Sequence, residues 1–540
     1  MRQDVKSLRN LNYVLAVKRL FKDMRDDWFV DPLMYKDFLD NKRVKKYFAS
    51  DTGERFGHIA EQFNLPKAGF TLRYSLQTFV FDRLLYQALI DQLIELYDPL
   101  LLPICYSNRL RLGRGPFIFQ DGVSSWRNFI QDVSVELESG KKVLLVTDIQ
   151  NYFECIEIYR LEMILRSSSC AKDRNNSESI DLLIGLLRKW SPDGQRGIPQ
   201  NQDASHFLAN IYMNRFDHQM LSAKHKYFRY VDDIRIVCRD EFAARKVLKD
   251  LIIELRRIGL NVNSKKTKIL KPDYSNREFA ECMPQPNRVI EEIDALWKHR
   301  TVSSARVALP KLHAYTQQLI SEGKTNEREF RFCINRLEQI ARCSVLSFDF
   351  SGIIAPAVDL LVAQPSSSDS VIRLLRVAPL KGAHVEKIRR FALDKRRNIY
   401  EWQGYLIWQL LTMLEKKQKR GTKSFRELAK SIITQDWAPP MKGGAILYLG
   451  ACGDGSDKRH LLKKFSQNSS SRMIVRSTVI ASQEMSEVEL ERYLYPYISF
   501  QDRESLKIIR SSDFNGRYLE PLSDLHPKEL FDNLPTITSG

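Results

Sequence analysis

The sequence predicts an α+β fold over its first half and a large all-α, repeat-like region over its second. Two observations carry this expectation. Runs rich in β-branched and aromatic residues, such as KKVLLVTDI (141–149) and FRYVDDIRIVC (228–238), occur before about residue 285 and fade after it. Beyond that point, segments such as 385–417 and 486–499 carry apolar residues at helical spacing, separated by short polar turns. A chain of 540 residues with 43% hydrophobic content divides into two or three domains, here placed at 1–285 and 286–540.

In chain order, KKVLLVTDI reads as a buried strand that delivers Asp148 at its carboxyl end. SHFLANIYMNRFDHQM (205–220) places Phe207, Leu208, Ile211, Tyr212 and Phe216 on one helical face. YFRYVDDIRIVC (227–238) reads as a hairpin with Asp232 and Asp233 at its turn. Its second strand alternates Ile234, Ile236 and Cys238 inward with Arg235, Val237 and Arg239 toward water. DEFAARKVLKDLIIELRRIGL (240–260) is an amphipathic helix that Gly259 is placed to end, and NVNSKKTKIL (261–270) follows as a short basic strand. In the second half, AQPSSSDS (363–370) and GDGSDK (453–458) read as surface loops, and the helix-turn-helix rhythm suggests a degenerate solenoid or a bundle.

Charge and cysteine usage bound the function. Lys and Arg number 84 against 66 acidic residues, a net charge of +18 that favours a polyanionic partner. The eight cysteines form no CxxC pair and no Cys/His cluster at zinc spacing, so they read as reduced, mostly buried thiols. The amino-terminal segment lacks the continuous apolar run of a signal peptide, and no stretch of about 18 apolar residues suits a membrane span. A cytoplasmic protein with no membrane partner is expected. Two adjacent carboxylates at a turn repel one another, so Asp232 and Asp233 require either full solvation or a cation that offsets both charges.

Order and spacing narrow the choice. DIQNYF (148–153), RGIPQNQDASHFLANIYM (196–213), FRYVDD (228–233) and GLNVNSKKTKI (259–269) resemble, in sequence and order, the four palm motifs of reverse transcriptases. TLRYSLQTFVFDRLLYQALID (71–91) is similar to the fingers segment of that family, and the likeness covers roughly residues 67–270. The resemblance implies a right-hand polymerase in which fingers and palm precede the helical region. It assigns Asp148, Asp232 and Asp233, helped by the carbonyl of Ile149, as ligands of two Mg²⁺ ions that act on dNTP substrates.

The resemblance further implies that Phe153 lies under the sugar of the incoming nucleotide, where its ring excludes a 2′-hydroxyl. Arg73 would grip the triphosphate, with Lys67 and Arg83 as weaker candidates or solvated surface cations. Lys266 would protonate departing pyrophosphate, Gln200 would contact nucleotide and template, and Tyr230 would lie near the primer end. Two positions depart from many relatives: Asn201 stands where glycine is usual and His206 where proline is usual. Conventional template positioning is the feature these departures bear on.

The long helical second half, including the aromatic run IYEWQGYLIWQLL (399–411), is similar to the abortive-infection and defence-associated reverse transcriptases of bacteria. That likeness implies an antiphage role and DNA synthesis that copies a non-coding RNA, or that is template-independent and protein-primed. It also implies nucleic-acid partners, among them a single-stranded DNA product, and a possible homo-oligomer. KKQKRGTK (416–423) and DKRRN (394–398) are the candidate phosphate contacts, with solvated helix ends as the plainer reading. The alternatives are a retron or mobile-intron enzyme copying a structured partner RNA, and, from another class, a catalytically silent RNA-binding scaffold.

Overall fold

The computed structural model describes residues 8, 10–49, 56–140, 142–343, 345–417, 422–465 and 471–514. Its first half is built on a four-stranded antiparallel sheet. Helix α1 (Tyr13–Asp23) leads, followed by the antiparallel hairpin β1 (Glu61–Pro66) and β2 (Leu72–Gln77), and then by helices α2 (Val80–Tyr97) and α3 (Gly122–Glu138). Strand β3 (Val143–Asp148) comes next, then helix α4 (Asp203–Ser222), the hairpin β4 (Lys226–Tyr230) and β5 (Asp233–Cys238), helix α5 (Glu241–Arg257), and the short β6 (Lys268–Leu270). The sheet order is β4-β5-β3-β6.

Local chemistry explains these elements. Strand β3 is buried along its whole length, as its unbroken apolar run requires. Helix α5 starts at Asp240, whose side chain accepts the Ala243 N–H, and gives way to Gly259 at φ +75°, a conformation that a side chain would disfavour. A Cβ at that glycine would meet Glu157 Oε1 at 2.6 Å.

Strand β5 departs from the expected alternation. Arg235 and Val237, read as solvent-facing, are buried at 4% and 6% exposure. Helix α3 covers that face: Trp126, Phe129 and Val133 pack with Val146, Val237, Phe279 and Met283 in a small core of their own. The Arg235 guanidinium lies 5.1 Å from the Trp126 ring and 4.7 Å from that of Phe129, so aromatic faces take the place of water. The sheet is therefore covered on both sides.

The second half is a solenoid rather than a compact bundle. One row stacks Arg328–Ala341, Ser368–Val377, α6 (Glu401–Lys417), α7 (Pro439–Cys452), α8 (Arg472–Ala481) and Phe500–Ile509, each on the next. The intervening helices stack among themselves on the other side, as Lys423–Thr434, Gly455–Phe465 and Glu487–Tyr493 do. Both expected loops prove to be structural. Within 363–370, Ser367, Ser368 and Ser370 are buried, and the Gln403 Nε2 group donates to Ser368 Oγ at 2.6 Å. Within 453–458, Asp454 accepts the Ser456 and Asp457 N–H groups and so opens helix Gly455–Phe465. Asp454 acts as a helix-start residue, whereas the Ser367 and Ser368 hydroxyls donate to the Gln364 and Pro365 carbonyls just before helix Ser368–Val377; composition distinguishes neither use from a loop.

The two halves share a core. Phe29, Leu33, Phe63 and Leu65 belong to the same hydrophobic cluster as the solenoid helices. Arg476 on α8, partly buried, binds both Asp31 and Asp37 through four hydrogen bonds of 2.7–2.9 Å. The Glu61 carboxylate accepts the Arg472 and Met473 N–H groups at 2.9 and 3.0 Å, which caps the first turn of α8. The β1–β2 hairpin is thus fixed to the solenoid. All eight cysteines are free thiols, with four buried and four partly so. Among the described residues, no helix is long and apolar enough to cross a membrane.

Candidate active site

The β3, β4 and β5 strands bring the three aspartates to one end of the sheet. Asp148 and Asp233 are direct partners across β3 and β5, and Tyr230 pairs with Asp233 across the hairpin. The Ile149 N–H donates to the Asp232 carbonyl at 3.2 Å, which ties the turn to the end of β3. The loop is two residues long, and its first residue, Val231, sits at φ +55°. A β-branched residue in that region is strained. It is held from both sides: the Val231 N–H donates to Ser107 Oγ at 2.8 Å, and Arg229 Nη1 donates to the Val231 carbonyl at 3.0 Å. Arg229 is itself locked by Asp217 and Asn210 on α4.

The electrostatics follow from that convergence. Burial, with the Asp148 and Asp233 charges behind it, pushes the Asp232 carboxyl up to about 7. Burial also raises Asp233, against the nearby Arg235 cation. Lys266 Nζ donates to Asp148 Oδ2 at 2.7 Å, and Asn263 Nδ2 donates to Oδ1 at 3.3 Å. Burial works against the Lys266 charge, but the hydrogen bond to Asp148 and the three carboxylates outweigh it and raise its pKa. Among the described residues, no three Asp, Glu, His or Cys side chains form a ready-made metal cage. The acid donors at this corner are all hard oxygens, and among the described residues neither Asp232 nor Asp233 forms an ion pair, so the residues fit a divalent cation such as Mg²⁺.

The remaining residues singled out in the sequence divide into near and far. Arg73, on β2, lies 5.6 Å from the Trp28 ring; burial lowers its pKa against the attraction of Glu154, Asp232 and Asp369. Among the described residues it has no ion-pair partner, and it is half-buried beside the site. Lys67 Nζ reaches Asn151 Oδ1 at 3.4 Å. Arg83 is neither a solvated cation nor a free phosphate ligand: it is buried and holds Asp23 at 2.8 Å and Asp27 at 2.6 Å. Phe153 follows Asn151, itself at φ +48°, and its carbonyl accepts the Ile198 N–H at 3.1 Å. Gln200 Nε2 donates to Glu154 Oε1 at 3.1 Å, and the Tyr230 hydroxyl donates to the Gly122 carbonyl at 3.0 Å.

The two departures acquire a structural meaning. Asn201 adopts φ +59°, the backbone conformation for which glycine is usual and which asparagine tolerates best among other residues. Its side-chain amide donates to the Asp26 carbonyl at 2.6 Å. His206 turns its ring against Phe153. The candidate phosphate contacts are mostly engaged or out of view. Arg397 pairs with Asp394 at 3.3 Å, and Lys395 reaches Gln435 at 2.9 Å. Residues 418–421 of the KKQKRGTK segment lie outside the described residues.

Residues 111–339 match the family model of the reverse transcriptase (RNA-dependent DNA polymerase). Over those residues, fewer than half of the chain, it is similar to reverse transcriptases. The match indicates a nucleotidyltransferase, an RNA-directed DNA polymerase. Among solved structures, the chain is similar to apo telomerase from Candida tropicalis at 12% identity, with 83% of this chain and 70% of that one covered and a TM-score of 0.33. It is also similar to telomerase from Candida albicans in complex with a TWJ fragment of telomeric RNA, at 11% identity, with 70% and 66% covered and a TM-score of 0.30. At those scores the two likenesses carry no part of the argument. No curated protein matches the chain.

The reverse-transcriptase match begins before α3 and runs into the first solenoid helices, so it takes in residues that the motifs do not reveal. Arg328 places its guanidinium 4.6 Å from the Trp126 ring, and its charge acts on Tyr230 and Asp233. Arg235 underlies Asp233 from the same strand. The spacing of Trp126, Phe129 and Val133 on α3 is the sequence signal that a second apolar face covers the sheet there.

Proposed function

We propose that this protein is a Mg²⁺-dependent reverse transcriptase whose metal ligands are Asp148, Asp232 and Asp233, with the Ile149 carbonyl as a further oxygen donor. The observation that carries this reading is the direct pairing of Asp148 with Asp233 beside a turn that presents Asp232. Bound divalent ions would lower the pKa of a primer hydroxyl and stabilise charge on the leaving pyrophosphate. The chain's own residues do the rest. The three carboxylates orient the reacting groups, Arg73 binds the triphosphate with a guanidinium that has no ion-pair partner among the described residues, and Lys266 holds a proton for the leaving group. Phe153 selects deoxynucleotides, while Gln200 and Tyr230 border the nucleotide and the primer end.

Purified protein given Mg²⁺, dNTPs and a poly(rA)·oligo(dT) substrate should incorporate dTMP, and Asp232→Ala with Asp233→Ala should abolish it. Undiminished synthesis by the double variant would remove the site assignment. We further propose a place among the bacterial defence-associated enzymes, acting in the cytoplasm as a homo-oligomer on a non-coding RNA or by protein-primed, untemplated synthesis. The two-row helical solenoid joined to the fingers hairpin supports this reading, because it offers a long surface for RNA or single-stranded product. Phage plating on cells expressing the wild type and the double variant tests it: equal plating on both would contradict a defence role.

A further inference from the structure

The sugar-facing role of Phe153 leaves open what holds its ring still. A ring that excludes a 2′-hydroxyl by contact works only if it cannot swing aside, since discrimination is a difference between two binding free energies. The backbone at Phe153 is fixed by the hydrogen bond from Ile198. The side chain is half-buried and, among the described residues, has two aromatic neighbours. Tyr152 lies at a centroid distance of 5.5 Å and an angle of 55°, and His206 lies at 5.2 Å, edge to face at 86°. Tyr152 is the adjoining residue in the chain, and it is buried with its hydroxyl donating to the Ala209 carbonyl of α4. His206 comes from a different element.

That element is anchored independently of Phe153. His206 sits in the first turn of α4, where its N–H donates to the Gln202 carbonyl at 3.1 Å. The preceding residue, Ser205, pairs with the Tyr86 hydroxyl of α2 at 2.8 Å, and the Asp203 N–H donates to Asp23 Oδ1 at 3.0 Å. Asp23 is clamped in turn by Arg83. The imidazole Nδ1 is shielded from solvent and has no hydrogen-bond partner among the described residues. No hydrogen bond through that nitrogen holds the ring in place, so what His206 offers Phe153 is the shape and edge of an aromatic ring.

We propose that His206 is a positioning residue for nucleotide selection: its ring, carried on a helix turn that Ser205 and Asp203 tie to α2 and α1, buttresses Phe153 in the orientation that excludes ribonucleotides. This rests on the reading of Phe153 as the sugar-selecting side chain. His206 itself touches no reacting atom. An aromatic buttress of this kind shifts selectivity about three- to tenfold when removed, less than loss of the selecting ring itself.

The test uses the full-length protein and two readouts of the UTP/dTTP preference, equilibrium Kd in Mg²⁺ and incorporation on poly(rA)·oligo(dT). His206→Ala should lower the preference for dTTP about three- to tenfold with little change in the dTTP Kd. His206→Phe, which keeps a ring, should retain the wild-type preference. Phe153→Val should lower the preference further, and adding His206→Ala to Phe153→Val should change nothing more. If Phe153→Val relaxes selection while His206→Ala leaves it within twofold, the positioning role is wrong and the sugar-selecting role stands. If Phe153→Val leaves selection unchanged, both fall. A His206→Phe variant that folds with a normal melting temperature but loses selection would overturn the ring argument, and equal effects of His206→Ala with and without Phe153 would do the same.

Discussion

Replacing Asp232 by asparagine should make the metal-free protein more stable and catalytically dead. The folded-state pKa of Asp232 is about 7, against about 3.9 for an aspartate in an unfolded chain. A carboxyl whose pKa is raised by folding is penalised when charged, so stability falls as pH rises from about 4 to about 7 and stays low above that. Three pH units correspond to a ceiling of about 4 kcal/mol, and because the side chain is only half-buried, solvent screening reduces the expected effect to about 1–2 kcal/mol. Urea denaturation of wild type and Asp232→Asn at pH 5 and pH 8, without divalent ions, measures it. The variant should be more stable at pH 8, with a smaller advantage at pH 5. Added Mg²⁺ and dNTP should narrow the gap by stabilising the wild type alone. A variant no more stable than wild type at pH 8, or one with an advantage independent of pH, would refute the electrostatic reasoning.

Three other substitutions probe separate parts of the structure. Arg476→Ala strands the buried carboxylates of Asp31 and Asp37, so unfolding at pH 7 should become easier by about 3–5 kcal/mol, read from the urea midpoint; a loss below about 1 kcal/mol would contradict the buried pairing. Lys266→Met removes the ammonium that donates to Asp148 and should slow single-nucleotide incorporation about 100-fold, with normal folding by circular dichroism. Arg235→Met replaces a buried guanidinium lying on Trp126 and Phe129 with an apolar chain of similar length, and its melting temperature should be unchanged or higher, as expected when a poorly compensated buried charge is removed.

Much of the first half was legible because its signals are local. An unbroken apolar run could only be a buried strand, and helix-spaced apolar residues marked α4 and α5 to within a few residues of their observed ends. The turn at Asp232 was legible for the same reason. The failures have two physical origins, tertiary cover and the shared residue chemistry of turns and helix starts. Arg235 looked solvated because alternation in a strand says nothing about what packs on its second face, and here α3 supplies Trp126 and Phe129. The serine-rich 363–370 segment and the 453–458 segment looked like loops because serine and aspartate that hydrogen-bond the backbone at helix starts are also the residues that fill turns. The union of Phe29, Leu33 and the β1–β2 hairpin with the solenoid core joins residues hundreds of positions apart and has no local signature. The contact of His206 with Phe153 is of the same kind.

The central claim is that Asp148 and the Asp232/Asp233 pair share divalent ions. Crystals grown with Mn²⁺ and a non-hydrolysable dNTP test it most directly through the anomalous signal of the metal. The account predicts a peak within about 2.2 Å of carboxylate oxygens from both Asp148 and Asp232. Manganese bound to one of these residues and not the other, or found only away from this end of the sheet, would contradict it.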